Sequence, residues 1–195
     1  GIPLTFQTRG GYGVDDALEF LRPAVWYVTI ETLNDSLARK LCAGGPPPSE
    51  RLKLVRRLVE AGHQVVVVDD LSTGKRENVH PGARLVEMDI NDPGLAEFVQ
   101  VEGPDVVNHH AANASVSRSV REPRFDATQN VLGTLNVLEA ARRADVGKVI
   151  YISSGGAMYG KVESLPMDED HPANPVSPYA LSKHTGERYV QLYGE

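Results

Sequence analysis

The chain has 195 residues, of which 41% are hydrophobic, 24% charged and 6% aromatic, so it is long enough and apolar enough to fold around a core. Twenty Lys and Arg against 26 Asp and Glu give a formal net charge of -6, which argues against nucleic acid as the main partner. The single cysteine, Cys42, excludes an intramolecular disulfide and a metal site built mainly on cysteines. No apolar run has the length of a membrane span, and no secretory signal pattern opens the chain. We therefore expect a soluble, cytoplasmic protein with no membrane partner.

The prolines of Gly44–Pro48 divide the chain, because three in a row rule out a helix interior or a central strand. We predict an atypical segment of unknown role over residues 1–48, in which Val25–Ile30 is a candidate strand. Residues 49–195 are predicted to form one domain.

After residue 48, helical and extended patterns alternate. A helix is predicted from Ser49 to Gly62, and Gln64–Asp69 is a continuous β-branched run typical of a strand buried on both faces. The further predicted elements are strand Arg84–Asp89, a helix from Asp92 to about Val101, strand Asp105–His109, a helix from Phe125 to Ala144, strand Lys148–Ser153 and a helix from Pro178 to Tyr193. This alternation predicts a doubly wound α/β fold whose four strands are adjacent, parallel and covered by helices on both faces.

Ligands of such sheets bind outside the carboxyl ends of the strands, so the residues that follow each strand are the candidates for a site. Asp69 ends the first clear strand, where a carboxylate can accept both hydroxyls of an adenosine ribose and repel a 2′-phosphate. An Asp in this place is also a common turn former. Asp89 and Ile90 follow the second strand and are candidates to flank an adenine ring.

The third strand is followed by Ala111 and Ala112, small residues that let a ligand approach the backbone, although small residues here are also ordinary packing. His109 and His110 stand next to each other at the same strand end. Adjacent residues of a strand point to opposite faces, so we do not expect these histidines to share a metal ion.

The pattern with the most chemistry lies near the end of the sequence. Ser153 and Ser154 follow the last predicted strand, and Tyr179 and Lys183 occupy positions i and i+4 of the last predicted helix, on one face. An ammonium one turn from a phenol favours the phenolate, and lowering the pKa of a tyrosine from about 10 to about 7 takes roughly 4 kcal/mol. Because a phenol can donate and accept a proton whereas an ammonium can only donate, Tyr179 is the predicted base and Lys183 its electrostatic partner.

Residues from about 54 onward resemble the extended short-chain dehydrogenase/reductases, and within them the NAD-dependent epimerase/dehydratase family that acts on nucleotide sugars. The stretches that carry the resemblance are Leu54–His63, Val67–Gly74, Asn130–Asn136, Ile152–Gly160 and Asp168–Tyr179. The resemblance implies a Rossmann-like fold, here incomplete without the family's C-terminal substrate domain, with NAD as cofactor, a nucleotide sugar as substrate and a homodimer as a possible assembly. The residues that it implies for NAD binding are Asp69, Asp89, Ile90, Ala111, Ala112, Asn130, Ser153, Tyr179 and Lys183, and the implied catalytic residues are Tyr179, Lys183 and Ser154.

The loop after the fourth predicted strand separates the chemistries of this family. In the dehydratase branch of the family, the pattern of this loop is similar to Thr-Asp-Glu. This chain has Gly155, Gly156 and Ala157 in its place, and none of them is an acid that could assist elimination. The resemblance therefore favours an epimerase of the UDP-glucose 4-epimerase type, with transient oxidation at sugar C4. The hydroxyl that assists the tyrosine in many epimerases would fall on Gly155, and Ser154 is the nearest substitute.

The sequence departs from the family pattern before residue 54. The family's Gly-x-x-Gly-x-x-Gly turn receives the pyrophosphate on backbone amides, whereas here Gly44 and Gly45 are followed by prolines, which lack that donor. We also expect the sugar-holding part to be missing from these 195 residues, and hence little or no turnover by this chain alone. A non-catalytic nucleotide-binding module or inactive fragment, and a reductase for another small carbonyl compound, stay open as alternatives.

Overall fold

The computed structural model describes residues 4–7, 25–28, 56–160 and 171–194, with the backbone alone for 4–7, 25–28 and 155–156. The predicted linker Gly44–Pro48 and the predicted helix start at Ser49 lie outside the described residues.

The described strands form one six-stranded sheet. They are β1 (Leu4–Gln7), β2 (Val25–Val28), β3 (Gln64–Asp69), β4 (Arg84–Glu87), β5 (Val106–His109) and β6 (Lys148–Ile152). Every neighbouring pair is parallel, in the order β1-β6-β5-β2-β3-β4, which confirms the predicted parallel α/β fold. The series β4-β3-β2-β5-β6 is the strand order of doubly wound dinucleotide-binding folds.

One prediction about this sheet is wrong. The four strands after residue 48 are not all adjacent, because β2 lies between β3 and β5. Alternating helices and strands determine that the strands run parallel, but they do not determine which strand lies between which. Both β1 and β2 come from the first 48 residues and share this sheet, while the domain boundary at residue 48 stays a prediction.

The helices connect the strands along the described part of the chain. They are α1 (described over residues 56–60), α2 (Leu95–Glu102), α3 (Val116–Arg121), α4 (Pro123–Ala127), a π-helical turn (Thr128–Leu132), α5 (Gly133–Arg143), α6 (Gly155–Met158) and α7 (Pro178–Gly194). Gly62 follows α1 at a φ of 84°, the left-handed conformation expected of a glycine after a helix. Helix α2 begins three residues after the predicted start, because Asp92 accepts the Gly94 N–H on its side chain and the Leu95 N–H on its carbonyl, which forms a turn.

Buried side chains lie on both faces of the sheet. On one face, strand residues and residues of α2, α5 and α7 form a single buried cluster. It includes Val66, Val68, Val107, Val149, Tyr151, Leu95, Val99, Leu138, Ala141 and Val190. On the other face Val65, Val67, Val106 and Ile150 are buried as well, and Leu58 of α1 is fully buried. The strands are thus enclosed on both sides, as their continuous apolar runs predict. Among the described helices, none has both the length and the hydropathy needed to cross a membrane.

Candidate active site

The carboxyl end of β3 presents Asp69 beside a glycine. The Asp69 Oδ1 atom accepts the Leu71 N–H at 2.7 Å, with Leu71 at a φ of 56°. A Cβ atom at Gly74 would stand 2.9 Å from Oδ1 and 3.1 Å from Oδ2 of Asp69, so only a glycine leaves the carboxylate in this place. The turn is therefore built around the carboxylate, with a bare backbone next to it.

Asp89 and Ile90 follow β4, and Ile90 contacts α5. Asp89 Oδ1 accepts the backbone N–H of Asn91 at 2.8 Å, while Ile90 is buried and its carbonyl accepts from Asn136. The Ile90 side chain lies against Gly133, where a Cβ atom would come within 2.4 Å of Ile90 Cδ1. The backbone of α5 thus approaches this loop more closely than any side chain would allow.

Asn130, in the π-helical turn, is the centre of a buried polar cluster. Its Oδ1 accepts the Asn113 N–H at 2.7 Å, and its Nδ2 lies 3.1 Å from Asp126 Oδ1 and 3.1 Å from Ser182 Oγ. Asn113 also donates from Nδ2 to Asp126 Oδ1 at 2.8 Å. The cluster connects the loop after β5, in which half-buried Ala111 and Ala112 precede Asn113, to helix α7.

Thr134 of α5 connects the π-helical turn to the end of β5. The Thr134 hydroxyl donates to the Asn130 carbonyl at 2.7 Å, so its oxygen is left to accept from His109 Nε2 at 2.9 Å. This arrangement assigns the His109 proton to Nε2. Burial, with a contribution from the Lys183 charge, lowers the pKa of His109 to about 3, so the imidazole is neutral at physiological pH.

Helix α7 carries Tyr179 and Lys183 one turn apart. Lys183 is buried, with 4% of its surface exposed, and its Nζ lies 4.2 Å from the centroid of the Tyr151 ring. Tyr179 is half-buried, and its backbone N–H donates to Ser119 Oγ of α3 at 3.1 Å. Burial and the neighbouring Tyr179 raise the pKa of the Tyr151 phenol well above its ordinary value. Tyr151 therefore stays protonated at physiological pH.

The serine pair after β6 divides between two environments. The Ser153 hydroxyl is buried and donates to Glu187 Oε2 of α7 at 2.7 Å, with Met158 Sδ 3.0 Å away. Ser154 is half-buried, and its carbonyl accepts the N–H groups of Ala157 and Met158, the last two residues of α6. Ser153 thus connects β6 to α7, whereas Ser154 begins the short helix that follows the strand.

The structure gives no metal site in the described part of the chain. Among those residues, no group of three or more His, Cys, Asp or Glu is arranged to hold an ion. His109 is buried at the end of β5, whereas His110 is half-buried in the loop that follows.

Several residues of the site were not predicted. Sequence reasoning missed Tyr151, Thr134, Asp126, Asn113, Ser119, Ser182 and Glu187, which contact the predicted residues. Ser182 lies inside the Tyr179–Lys183 turn and Glu187 one turn beyond it, so helical spacing could have indicated both. The contacts of Tyr151 and Ser119 join residues far apart in the chain, and no local pattern indicates them.

Comparison with known proteins gives one consistent result. The family model described as NAD dependent epimerase/dehydratase matches residues 53–195. The UDP-glucose 4-epimerase of Mycolicibacterium smegmatis is 48% identical over 145 residues, which are 72% of this chain and 46% of that protein.

Two solved structures extend the likeness to the fold. The UDP-glucose 4-epimerase of Thermus thermophilus in complex with NAD has a TM-score of 0.74 at 37% identity, covering 87% of this chain and 50% of its own. The UDP-glucose 4-epimerase of Thermotoga maritima with UDP-glucose has a TM-score of 0.72 at 34% identity, with the same coverage of 87% and 50%. The chain therefore spans about half the length of these relatives.

Proposed function

We propose, from the premise that this chain belongs to the NAD dependent epimerase/dehydratase family, that the protein is a nucleotide-sugar 4-epimerase of the UDP-glucose 4-epimerase type. The observation that carries the proposal is the buried Lys183 ammonium one turn after Tyr179, next to β6. Relatives described with NAD and with UDP-glucose support the choice of cofactor and substrate.

One observation supports the fit of the described residues to NAD. Gly74 has no side chain, so its bare backbone lies beside the Asp69 carboxylate and leaves space there. Asp69 would hold the hydroxyls of the adenosine ribose there. The other residues that we propose to contact NAD are Asp89 and Ile90 on the adenine side, Ala111 and Ala112 along the loop after β5, and Asn130, Ser153, Tyr179 and Lys183 on the nicotinamide side.

The charges near Asp69 favour NAD over NADP. A carboxylate at the ribose repels a 2′-phosphate, and a neighbouring arginine is the usual means of accepting one. Arg76 is paired with Glu87 at 2.7 Å, and Lys75 lies 3.8 Å from Glu77. Both cations are therefore paired with carboxylates other than Asp69.

The residues of α7 and of the loop after β6 have distinct proposed roles. Bound NAD would supply a reversible hydride acceptor for sugar C4, which would pass through a ketone. Tyr179, as phenolate, takes the proton from the 4-hydroxyl and gives it back when C4 is reduced on its other face. Lys183 stabilises the phenolate and holds the nicotinamide ribose, while the Ser154 hydroxyl donates to the developing carbonyl oxygen.

The loop after β6 argues for epimerisation rather than dehydration. Elimination of water from the sugar ring needs an acid and a base next to the ring, and Gly155, Gly156 and Ala157 provide neither. This loop therefore favours return of the hydride to the C4 ketone over elimination.

The outer face of α7 supports a homodimer as the assembly. Leu181 and Leu192, three turns apart on this face, are 55% and 62% exposed. We expect a second copy to cover them. Light scattering after size exclusion should show a dimer that Leu181→Lys converts to monomer, and a monomeric wild type would contradict this part of the proposal.

The function is tested in a chain of family length by titrating NAD and NADP and by following the conversion of UDP-glucose. We expect NAD to bind more tightly than NADP and the 4-epimer to accumulate. NAD binding without conversion would favour the non-catalytic nucleotide-binding module, and reduction of an added carbonyl compound would favour the reductase. Asp69→Asn is the matched control, because it should reduce the ratio of NAD affinity to NADP affinity while the protein still folds.

A further inference from the structure

Tyr151 is fully buried in β6, and it contacts Lys183 at two points. The lysine Nζ lies 4.2 Å from the centroid of the Tyr151 ring, and the Tyr151 hydroxyl donates to the Lys183 carbonyl at 3.2 Å. One aromatic side chain thus fixes both the backbone and the ammonium of the same lysine.

Gly186, on the next turn of α7, makes these contacts possible. A Cβ atom there would stand 2.4 Å from the Tyr151 hydroxyl oxygen and 3.0 Å from Cζ. The helix can therefore lie directly on the ring only because this residue is a glycine. On β5, the register partner of Tyr151 is His109, whose ring centroid is 5.7 Å away at an interplanar angle of 46°.

The surroundings of the Lys183 ammonium explain how the Tyr151 ring can stabilise its charge. A buried ammonium loses hydration, which lowers the pKa of a lysine unless other groups compensate. The titratable groups that face this region are Tyr179 and Glu187 on α7, His109 on β5 and Tyr151 on β6. His109 is neutral because burial and Lys183 lower its pKa to about 3, so this imidazole does not compete with Lys183 for the ring.

We propose that Tyr151 is a positioning residue whose aromatic face keeps the Lys183 ammonium charged and fixed on the turn of Tyr179. The inference rests on the proposed function, because its consequence is the phenolate of Tyr179. The ring carries this role, and the hydroxyl adds only an anchor to the backbone of α7.

Three variants of the 195-residue chain separate the ring from the hydroxyl. Tyr151→Phe keeps the ring and Tyr151→Leu removes it. Tyr193→Leu is the control, because it removes a tyrosine that lies on α7 and bonds to Glu139 instead. If Tyr151→Leu does not fold, Tyr151→Met fills more of the space without an aromatic face.

The first measurement is the NMR chemical shift of the Lys183 side chain. Its resonance is assigned as the lysine signal that disappears in Lys183→Met. A ring in this place should move the ε-methylene protons upfield in the wild type, in Tyr151→Phe and in Tyr193→Leu, and the shift should vanish in Tyr151→Leu. An unchanged shift in folded Tyr151→Leu overturns the proposal. This readout does not depend on NAD or on any activity.

The second measurement is the ultraviolet titration of the Tyr179 phenolate, taken as the difference between each protein and its Tyr179→Phe counterpart. Loss of the ring should raise the midpoint by about one pH unit, whereas Tyr151→Phe should leave it near the wild-type value. Equal shifts in the Phe and Leu variants would contradict the role of the ring. A wild type with the upfield lysine shift but no Tyr179 phenolate near neutral pH would instead refute the proposed function while leaving the lysine contact in place.

Discussion

His109 should make the stability of this chain depend on pH. Because burial lowers its pKa in the folded state to about 3, against an ordinary value of 6.5, the unfolded state binds more protons between these two values. Stability is therefore complete above about pH 6.5 and is lost as the pH falls toward 3. From pH 7 to pH 5, this one group should cost about 2 kcal/mol of the free energy of unfolding.

Urea unfolding of the wild type and of His109→Gln at both pH values isolates this effect. The variant cannot titrate in this range, so the wild type should lose about 2 kcal/mol more than the variant between pH 7 and pH 5. Equal losses in the two proteins would refute the assignment of His109 as a neutral, buried imidazole. Thr134→Val is the companion variant, because it leaves the His109 N–H without its acceptor and should cost about 1–3 kcal/mol at pH 7.

The remaining predictions concern close packing, the buried polar cluster and cofactor choice. Gly133→Ala should lower the free energy of unfolding by about 1–3 kcal/mol, measured in urea, because its Cβ would collide with Ile90. Asp126→Ala should cost about 1–3 kcal/mol and Asp126→Asn less, since the amide oxygen can still accept from Asn113, and the same unfolding measurement compares them. Asp69→Asn should raise affinity for NADP relative to NAD in a calorimetric titration, and an unchanged ratio would remove Asp69 from cofactor selection.

The strands were the most predictable part of the fold. Four consecutive valines in Gln64–Asp69 leave no alternative to a buried strand, and β3 has the predicted bounds. The position of β2 between β3 and β5 was not predictable, because strand order depends on contacts between distant segments. Local patterns thus determine where strands form and in which direction they run, but not which strands are neighbours.

The helix after β5 shows a second limit of sequence reasoning. Apolar spacing predicted one helix from Phe125 to Ala144, whereas the structure has a π-helical turn over Thr128–Leu132. The turn depends on side-chain bonds, such as that of Thr134 to the Asn130 carbonyl, which a 3.6-residue period does not reveal. Asn130 came from the family resemblance, and its buried partners came only from the structure.

In the candidate site too, local sequence patterns predicted some features, and others came only from the structure. The spacing of Tyr179 and Lys183 indicated one helix face, and α7 includes both residues. The ring of Tyr151 under Lys183 joins residues 32 positions apart, so the local sequence could not reveal it. Their position after a strand made Ser153 and Ser154 candidates, and their proposed roles came from the family resemblance. The bond from Ser153 to Glu187 depends on how α7 packs against β6.

The measurement that tests the central claim most directly is the turnover of UDP-glucose by Tyr179→Phe in a chain of family length, with NAD affinity measured on the same protein. The account predicts that turnover is abolished while the Kd for NAD stays nearly unchanged, because the variant loses only the group that accepts the 4-hydroxyl proton. Turnover retained by Tyr179→Phe would remove this residue from the mechanism and contradict the account.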